Sequence, residues 1–235
     1  MKITILLLLT TLLFACQPSK NNLEQSEKLY KQAIANFDLT TAKLALNQIL
    51  LLDSNNLIYK DSLARLYIQG GNYEGGIKLA EELNKAGNAD TKLLELTGVA
   101  YQQMGKLEES DEIFNKLWNG SKEFKYLYQV MVIQYEKGNR QSFDSLSSQI
   151  LSKVESDSAM AITTIDFPGP VTGVAQRVPI KAATLFLIGK NAYDREQDLG
   201  KAITYYQKSI EAYDPFEMAR YYLTEIARMQ QGGGR

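Results

Sequence analysis

The feature that most constrains the fold is a pattern that recurs every 34 residues, in segments that begin at Leu23, Leu57 and Thr91. Within each segment the apolar positions are three or four residues apart, which places them on one face of a helix. After each predicted turn stands a small residue, as a close crossing of two helices requires: Ala42, Gly76 and Ser110. One helix pair cannot bury such a face alone, so the copies must stack.

Two further copies follow the first three. A less regular fourth copy has its helices at 124–134 and 143–151, around the turn Gly138-Asn139. A fifth runs through Leu187-Ile188-Gly189 and ends at Asp214-Pro215, because proline cannot continue a helix interior. A last helix is predicted at 216–230, where a more polar outer face would end the stack.

The third copy carries Thr97-Gly98, Tyr101 and Gly105-Lys106-Leu107-Glu108-Glu109-Ser110. In these residues and in its spacing the chain resembles the tetratricopeptide repeat (TPR). The resemblance implies an all-α, TPR-like α-solenoid of about five helix-turn-helix repeats with a C-terminal capping helix. Repeats 1–4 are expected at 23–151, repeat 5 with the cap at 181–231, and a flexible tail at 232–235.

The helical period is interrupted at 152–180. The stretches 160–165 and 173–178 are rich in β-branched residues and flank Phe167-Pro168-Gly169-Pro170, which predicts a β-hairpin or a long ordered loop. We do not expect a non-helical insert to be needed for helix stacking. It is therefore either a tolerated loop or an element that contacts a specific partner.

At the N-terminus, Lys2 precedes an apolar run at 3–14 that is too short to span a bilayer, and the run leads into Leu13-Phe14-Ala15-Cys16. In these residues the N-terminus resembles a bacterial lipoprotein signal, and the chain as a whole resembles a TPR lipoprotein of the Bacteroidota type. The resemblance implies a signal peptide at 1–15, a lipid on Cys16 and a polar tether at 16–22. Gln17 stands where inner-membrane lipoproteins carry aspartate, so an outer-membrane, periplasm-facing location is expected. An ordinary secretory signal with a chance cysteine is the alternative.

The composition argues against catalysis and cofactors. The chain has no histidine and one cysteine, which excludes cysteine and histidine zinc sites and histidine-based triads. It also lacks a phosphate-binding loop motif. Its 26 basic and 27 acidic residues nearly balance, which gives no support to nucleic-acid binding. We expect no enzyme activity, cofactor or metal.

The TPR resemblance also implies which positions line a groove. The acidic residues Glu27, Asp61 and Glu95 recur at one such position, and Lys31, Arg65 and Val99 follow four residues later. The acids either contact a basic peptide or pair with those basic residues along the helix. Glu95 has no basic residue four positions on, which makes it a candidate contact together with Gln102 and Gln103.

The fourth repeat adds aromatic and amide candidates. Its first helix carries Tyr126, Tyr128, Gln129 and Tyr135. Some of these tyrosines are expected to belong to the core. Together these residues predict a lipid-anchored, non-catalytic scaffold or adaptor that binds a protein or peptide partner. A glycan- or small-ligand-binding lipoprotein and a self-associating structural module are the alternatives.

Overall fold

The computed structural model describes residues 20–232, and the side chains of 22–231. The predicted signal peptide, Cys16 and the end of the predicted tail lie outside these residues. The helices are α1 Lys20–Ala35, α2 Leu39–Leu52, α3 Leu57–Gln69, α4 Tyr73–Lys85, α5 Thr91–Gln103, α6 Leu107–Ser121, α7 Phe124–Lys137, α8 Arg140–Val154, α9 Ser158–Ala161, α10 Ile180–Asn191, α11 Leu199–Ala212 and α12 Glu217–Gly232. The strands β1 Thr164–Phe167 and β2 Gln176–Pro179 pair antiparallel, with Ile165 opposite Val178.

The turns inside the helix pairs share one design. A residue with a left-handed backbone ends each turn. In four of the five turns it precedes an Asp or Asn that caps the next helix by accepting a hydrogen bond from a backbone N–H, as Asp38 does from Thr41 at 3.0 Å. In the fifth, Gly105 precedes Lys106, which forms no such bond. The left-handed residues are Phe37, Gly71, Gly105, Gly138 and Gln197. The caps with this side-chain bond are Asp38, Asn72, Asn139 and Asp198. The predicted all-α repeat fold with its capping helix is confirmed.

The small residues after these turns are buried, as the sequence predicts. A Cβ atom added to Gly76 would lie 2.5 Å from Cγ1 of Ile68 on the preceding helix. Ala42 and Ser110 occupy the matching positions and are also fully buried. The residue size at this point therefore sets how closely the two helices of a pair can pack.

The described chain divides into two compact units, 20–104 and 105–232. In the first unit, small clusters of buried residues hold neighbouring helices together; one contains Leu46, Ile49 and Leu63, and another Ala80, Leu83 and Leu93. In the second unit one cluster extends from Leu127 on α7 to Ile226 on α12.

The insert differs from its prediction in two ways. The segment expected as the first strand begins as helix α9, in which Met160 is fully buried, and β1 starts only at Thr164. The hairpin also belongs to the core, because the Phe167 ring lies 4.9 Å from that of Phe216 and 5.6 Å from that of Phe186. The insert therefore packs against the helices of the second unit, and whether stacking needs it stays a prediction.

Several element ends also differ from the predictions. Helix α1 begins at Lys20, so the predicted tether at 16–22 ends three residues early, and α8 continues to Val154 inside the predicted insert. The polar first turn of α1 contains no regularly spaced apolar residue, so apolar periodicity alone misses it.

Candidate functional site

The charged groove candidates of the first unit bind one another. Arg65 donates from Nε to Oδ2 of Asp61 at 2.7 Å and from Nη2 to Oδ1 of Asp61 at 2.8 Å, as the paired interpretation predicts. Its Nη2 also donates to Asp90 at 2.8 Å, and Asp90 caps α5 by accepting from the N–H of Leu93. The hydrogen bond from Arg65 lowers the pKa of Asp90. The bond to Asp90 connects α3 to the start of α5, while the bidentate pair with Asp61 lies along α3 itself.

Glu95, the preferred contact of the sequence analysis, has a basic neighbour. Lys92 lies one turn before it and forms an ion pair at 3.0 Å, while the Glu95 side chain is only 15% exposed. The search for a basic residue four positions on missed it because the partner lies three positions back. Gln102 is half-buried and Gln103 is exposed.

The tyrosines of α7 divide between core and surface. Tyr126 is 2% exposed and Tyr128 4%, so both belong to the core rather than to a contact surface. Burial raises the pKa of Tyr128, whose hydroxyl donates to the carbonyl oxygen of Ala183 at 3.4 Å. Gln129 and Tyr135 are half-buried.

Tyr135 takes part in a group of side chains that the sequence analysis did not bring together. Nζ of Lys190 on α10 donates to Oδ2 of Asp194 at 2.5 Å and to the Tyr222 hydroxyl on α12 at 3.2 Å. The hydroxyl of Tyr135 on α7 donates to the same carboxylate of Asp194. We call Tyr135, Lys190, Asp194 and Tyr222 the Lys190 cluster; it joins α7, α10 and α12 within the second unit.

A π-helical turn at Ala192–Glu196 extends the cluster. It presents Tyr193, whose ring lies 6.0 Å from that of Tyr222, and Arg195, whose guanidinium lies 5.0 Å from the centre of the Tyr135 ring. Arg195 also donates to the carbonyl oxygen of Glu136 at 3.0 Å. Single π-turns within helices are frequent at functional sites.

The cluster borders a groove of about 340 Å³ in the second unit. Its polar lining includes the amides of Gln134, Asn139 and Asn191, and Tyr135 and Arg195 contribute to its wall. Amide side chains both donate and accept hydrogen bonds, as a peptide backbone requires. Their amide nitrogens already donate within the protein, from Gln134 to Asp111 and from Asn191 to Glu196, so the groove adds polar walls beside the aromatic surface of the cluster.

Lys190 and Tyr135 keep their ordinary protonation states at neutral pH. Burial would lower the pKa of Lys190, but hydrogen bonds to Asp194 and Tyr222 outweigh it, so the pKa is raised and the ammonium stays charged. Burial and the hydrogen bond to Asp194 raise the pKa of Tyr135 to about 12, so its phenol stays neutral. A nucleophilic lysine needs a lowered pKa, and acid–base catalysis needs one near neutrality. Neither group meets these conditions.

The sequence contains only weak signs of this cluster. Lys190 and Asp194 are four residues apart and could have been recognised as a helical ion pair. Tyr135, however, lies 59 residues before its hydrogen-bond partner Asp194, and Tyr222 lies 32 residues after its partner Lys190. No offset of the repeat relates the three helices to one another.

Two further findings limit the chemistry of the described residues. No group of three or more acidic or cysteine side chains in residues 20–232 is arranged to hold a metal ion. Among the helices of the same part of the chain, none has the length and apolar character needed to cross a bilayer.

The comparisons with known proteins concern the fold. The structure resembles a crystal structure of the MamA protein with a TM-score of 0.59 at 12% identity, over 83% of this chain and 94% of the other. It resembles YrrB, described as a TPR protein with an unusual peptide-binding site, with a TM-score of 0.57 at 15% identity over 83% and 88%. For MamA 41-end from Desulfovibrio magneticus RS-1 the TM-score is 0.50 at 18% identity, over 59% and 79%.

The comparison with curated protein sequences finds no match. A family profile, described as tetratricopeptide repeat, matches residues 182–214, which contain most of α10 and all of α11. The chain therefore has the fold of a TPR protein, and its fifth helix pair is recognised as a tetratricopeptide repeat.

Proposed function

We infer that the protein is a non-catalytic adaptor that is anchored by a lipid on Cys16 and binds a partner protein or peptide through the Lys190 cluster. Its place would be the bacterial cell envelope, at the periplasmic face of the outer membrane. The observation that carries the proposal is the assembly of two half-buried tyrosines and a charged lysine from three separate helices.

Tyrosines held in this way suit recognition of another protein. Tyr135 and Tyr222 are fixed by hydrogen bonds, so little side-chain entropy remains to be lost when a partner binds. Aromatic residues and arginine dominate the energetics of protein interfaces, and Arg195 stacks on Tyr135 beside them. The fold similarity to YrrB, itself described as having a peptide-binding site, supports a peptide ligand.

The first unit is a weaker candidate for the contact surface. Asp61 and Arg65 form a bidentate pair, and Glu95 pairs with Lys92, so these charged candidates neutralise one another. None of them is an aromatic residue of the kind that dominates the energetics of interfaces. Gln102, Gln103 and Gln129 stay predictions as additional contacts. The binding site is therefore proposed in the second unit rather than along an acidic series in the first.

A photo-crosslinking experiment tests the binding surface. A benzoylphenylalanine in place of Tyr193, beside the cluster, is compared in growing cells with the same amino acid in place of Thr204, which is exposed on α11 of the same helix pair. The proposal predicts a specific crosslinked protein at position 193 that is absent at 204 and is lost when Arg195→Ala is added. Equal crosslinking at both positions would contradict it.

The lipid anchor is tested separately. Mass spectrometry of the purified envelope protein should show an N-terminal Cys16 carrying acyl chains, and Cys16→Ser should release the protein from the membrane fraction. A mature protein that starts elsewhere and carries an unmodified Cys16 would refute the anchor without affecting the crosslinking result.

A further inference from the structure

One edge of the first unit carries apolar side chains that fold stability does not explain. Leu51 and Leu52 end α2, and Leu57 and Ile58 begin α3 after a four-residue turn; we call these four residues the Leu51 edge. Leu51 is 85% exposed and Ile58 76%. Isolated exposed leucines are ordinary, but an adjoining set on one edge indicates a contact surface.

The Leu51 edge lies where the chain enters the described structure. Helices α1 and α2 are joined by the short turn at 36–38, so the start of α1 adjoins the end of α2. A groove of about 460 Å³ shows this directly, because Asn22 and Gln25 from the first turns of α1 line it together with Leu51 and Leu52. Whatever holds the N-terminus therefore lies close to these leucines.

The chain length before α1 limits the distance to a membrane. Cys16 is four residues before Lys20, so even a fully extended chain spans only about 14 Å between them. We propose that the Leu51 edge rests against the bilayer and inserts its apolar side chains into the interface, which fixes the orientation of the first unit on the membrane. This inference depends on the lipid anchor of the proposed function.

The charges along the edge indicate which lipids take part. The turn Asp53-Ser54-Asn55-Asn56 contains one acid and no base, and Lys60 on α3 is paired with Glu82 at 2.8 Å. The edge thus offers no unpaired basic side chain in this stretch to anionic headgroups. Its contact is hydrophobic and should be the same on zwitterionic and anionic membranes, at low and high salt.

A fluorescent label can measure this contact in the full lipidated protein. Acylation blocks the sulfur of Cys16, so Leu51→Cys provides the one reactive thiol for bimane labelling. The matched control is Phe37→Cys, because Phe37 is equally exposed, at 88%, and lies in the turn at the opposite end of α1 and α2. Neither substitution removes a buried side chain, so both variants should fold.

The labelled proteins are reconstituted in phosphatidylcholine vesicles with and without phosphatidylglycerol. We expect bimane at position 51 to show blue-shifted emission and about threefold stronger quenching by doxyl-labelled lipids than bimane at position 37, in both kinds of vesicle. Equal emission at 51 and 37, in protein that floats with the vesicles, would overturn the Leu51 edge while leaving the anchor in place.

Two other results have separate meanings. Protein that does not float with the vesicles and whose Cys16 reacts with bimane would show that the anchor itself fails. A blue shift at position 51 that rises with protein concentration and not with lipid would show that a second copy of the chain covers the edge, which would also overturn the proposal.

Discussion

In residues 20–104 the buried side chains form small clusters shared by neighbouring helices, whereas in 105–232 one cluster joins α7, α8, α10, α11, α12 and the hairpin. The first unit keeps the 34-residue period and uses ion pairs such as Lys60–Glu82 between its helices. The second interrupts the period and gathers aromatic rings around Phe186. Regular repeats need only neighbouring contacts, while the aromatic core and the Lys190 cluster depend on contacts between distant parts of the chain.

The largest expected effect comes from the centre of the second unit. Phe186→Ala removes a ring whose centre lies 5.3–5.6 Å from those of Phe167, Tyr206, Phe216 and Tyr222. We expect a loss of about 3–5 kcal/mol in the free energy of unfolding, because such a cavity cannot collapse. Hydrogen exchange should show faster opening throughout 105–232, measured beside urea unfolding.

Tyr206→Phe is the matched control for this change. Tyr206 is fully buried, but its hydroxyl has no hydrogen-bond partner among the described residues. Its removal should leave the stability unchanged or raise it by up to about 1 kcal/mol. Faster exchange confined to α10 in Phe186→Ala would show that the second unit is not one cooperative core.

A smaller effect of opposite sign is expected in the first unit. Phe37 has a φ of 56°, where the matching turns have Gly71 at 80° and Gly105 at 71°, and its exposed ring contributes little packing. Phe37→Gly should therefore stabilise the unit by about 1 kcal/mol, because glycine adopts this backbone without steric cost.

The corresponding turn of the second unit gives a direct comparison. Gln197 has a φ of 54°, so Gln197→Gly should also stabilise, although added flexibility of the unfolded chain offsets part of the gain in both variants. Thermal unfolding measures both changes. Destabilisation by Phe37→Gly would mean that the Phe37 side chain makes contacts that stabilise the first unit.

The smallest effect is local and depends on pH. The carboxylate of Glu217 accepts hydrogen bonds from the Thr172 hydroxyl at 2.8 Å and from the backbone N–H groups of Thr172 and Val171 at 3.1 and 3.0 Å. These bonds, the Thr172 hydroxyl first, lower the pKa of Glu217 from its usual 4.5. The stabilisation is therefore complete above about pH 4.5 and is lost as the pH falls through the lowered value.

Amide exchange of Val171 and Thr172 by NMR measures this attachment of the hairpin loop. Exchange, corrected for its intrinsic pH dependence, should increase below pH 4.5, whereas Glu217→Gln should show the increased exchange at neutral pH as well. The backbone N–H of the buried Ile180 serves as an internal control, because it donates to the carbonyl oxygen of Thr163 at 2.9 Å and not to an ionisable group. Protection of the loop that does not change with pH would exclude this role of Glu217.

Sequence patterns predict the helices and ion pairs that follow the repeat spacing, and they miss contacts between residues that are far apart in the chain. Helices α3 and α5 begin at Leu57 and Thr91 as expected, and the Asp61–Arg65 pair follows from spacing along one helix. The bond from Arg65 to Asp90 is invisible to that reasoning, because the two residues lie 25 positions apart on different elements. The Lys190 cluster is missed for the same reason.

The insert shows a second limit. Met160 and Ile162 are compatible with a strand by residue type, yet Asp157 caps a short helix there by accepting from the N–H groups of Ala159 and Met160. Local capping and burial of Met160 thus override β propensity. The predicted hairpin is present, but its first strand starts four residues later than expected.

Hydrogen exchange of the mature protein, free and in complex with the partner that is crosslinked at position 193, tests the central claim most directly. The account predicts slower exchange in 190–197 and in the middle of α12 around Tyr222, with α5 around Glu95 unchanged. Protection confined to α5 around Glu95, Gln102 and Gln103, with none around Lys190, would contradict the placement of the binding surface in the second unit.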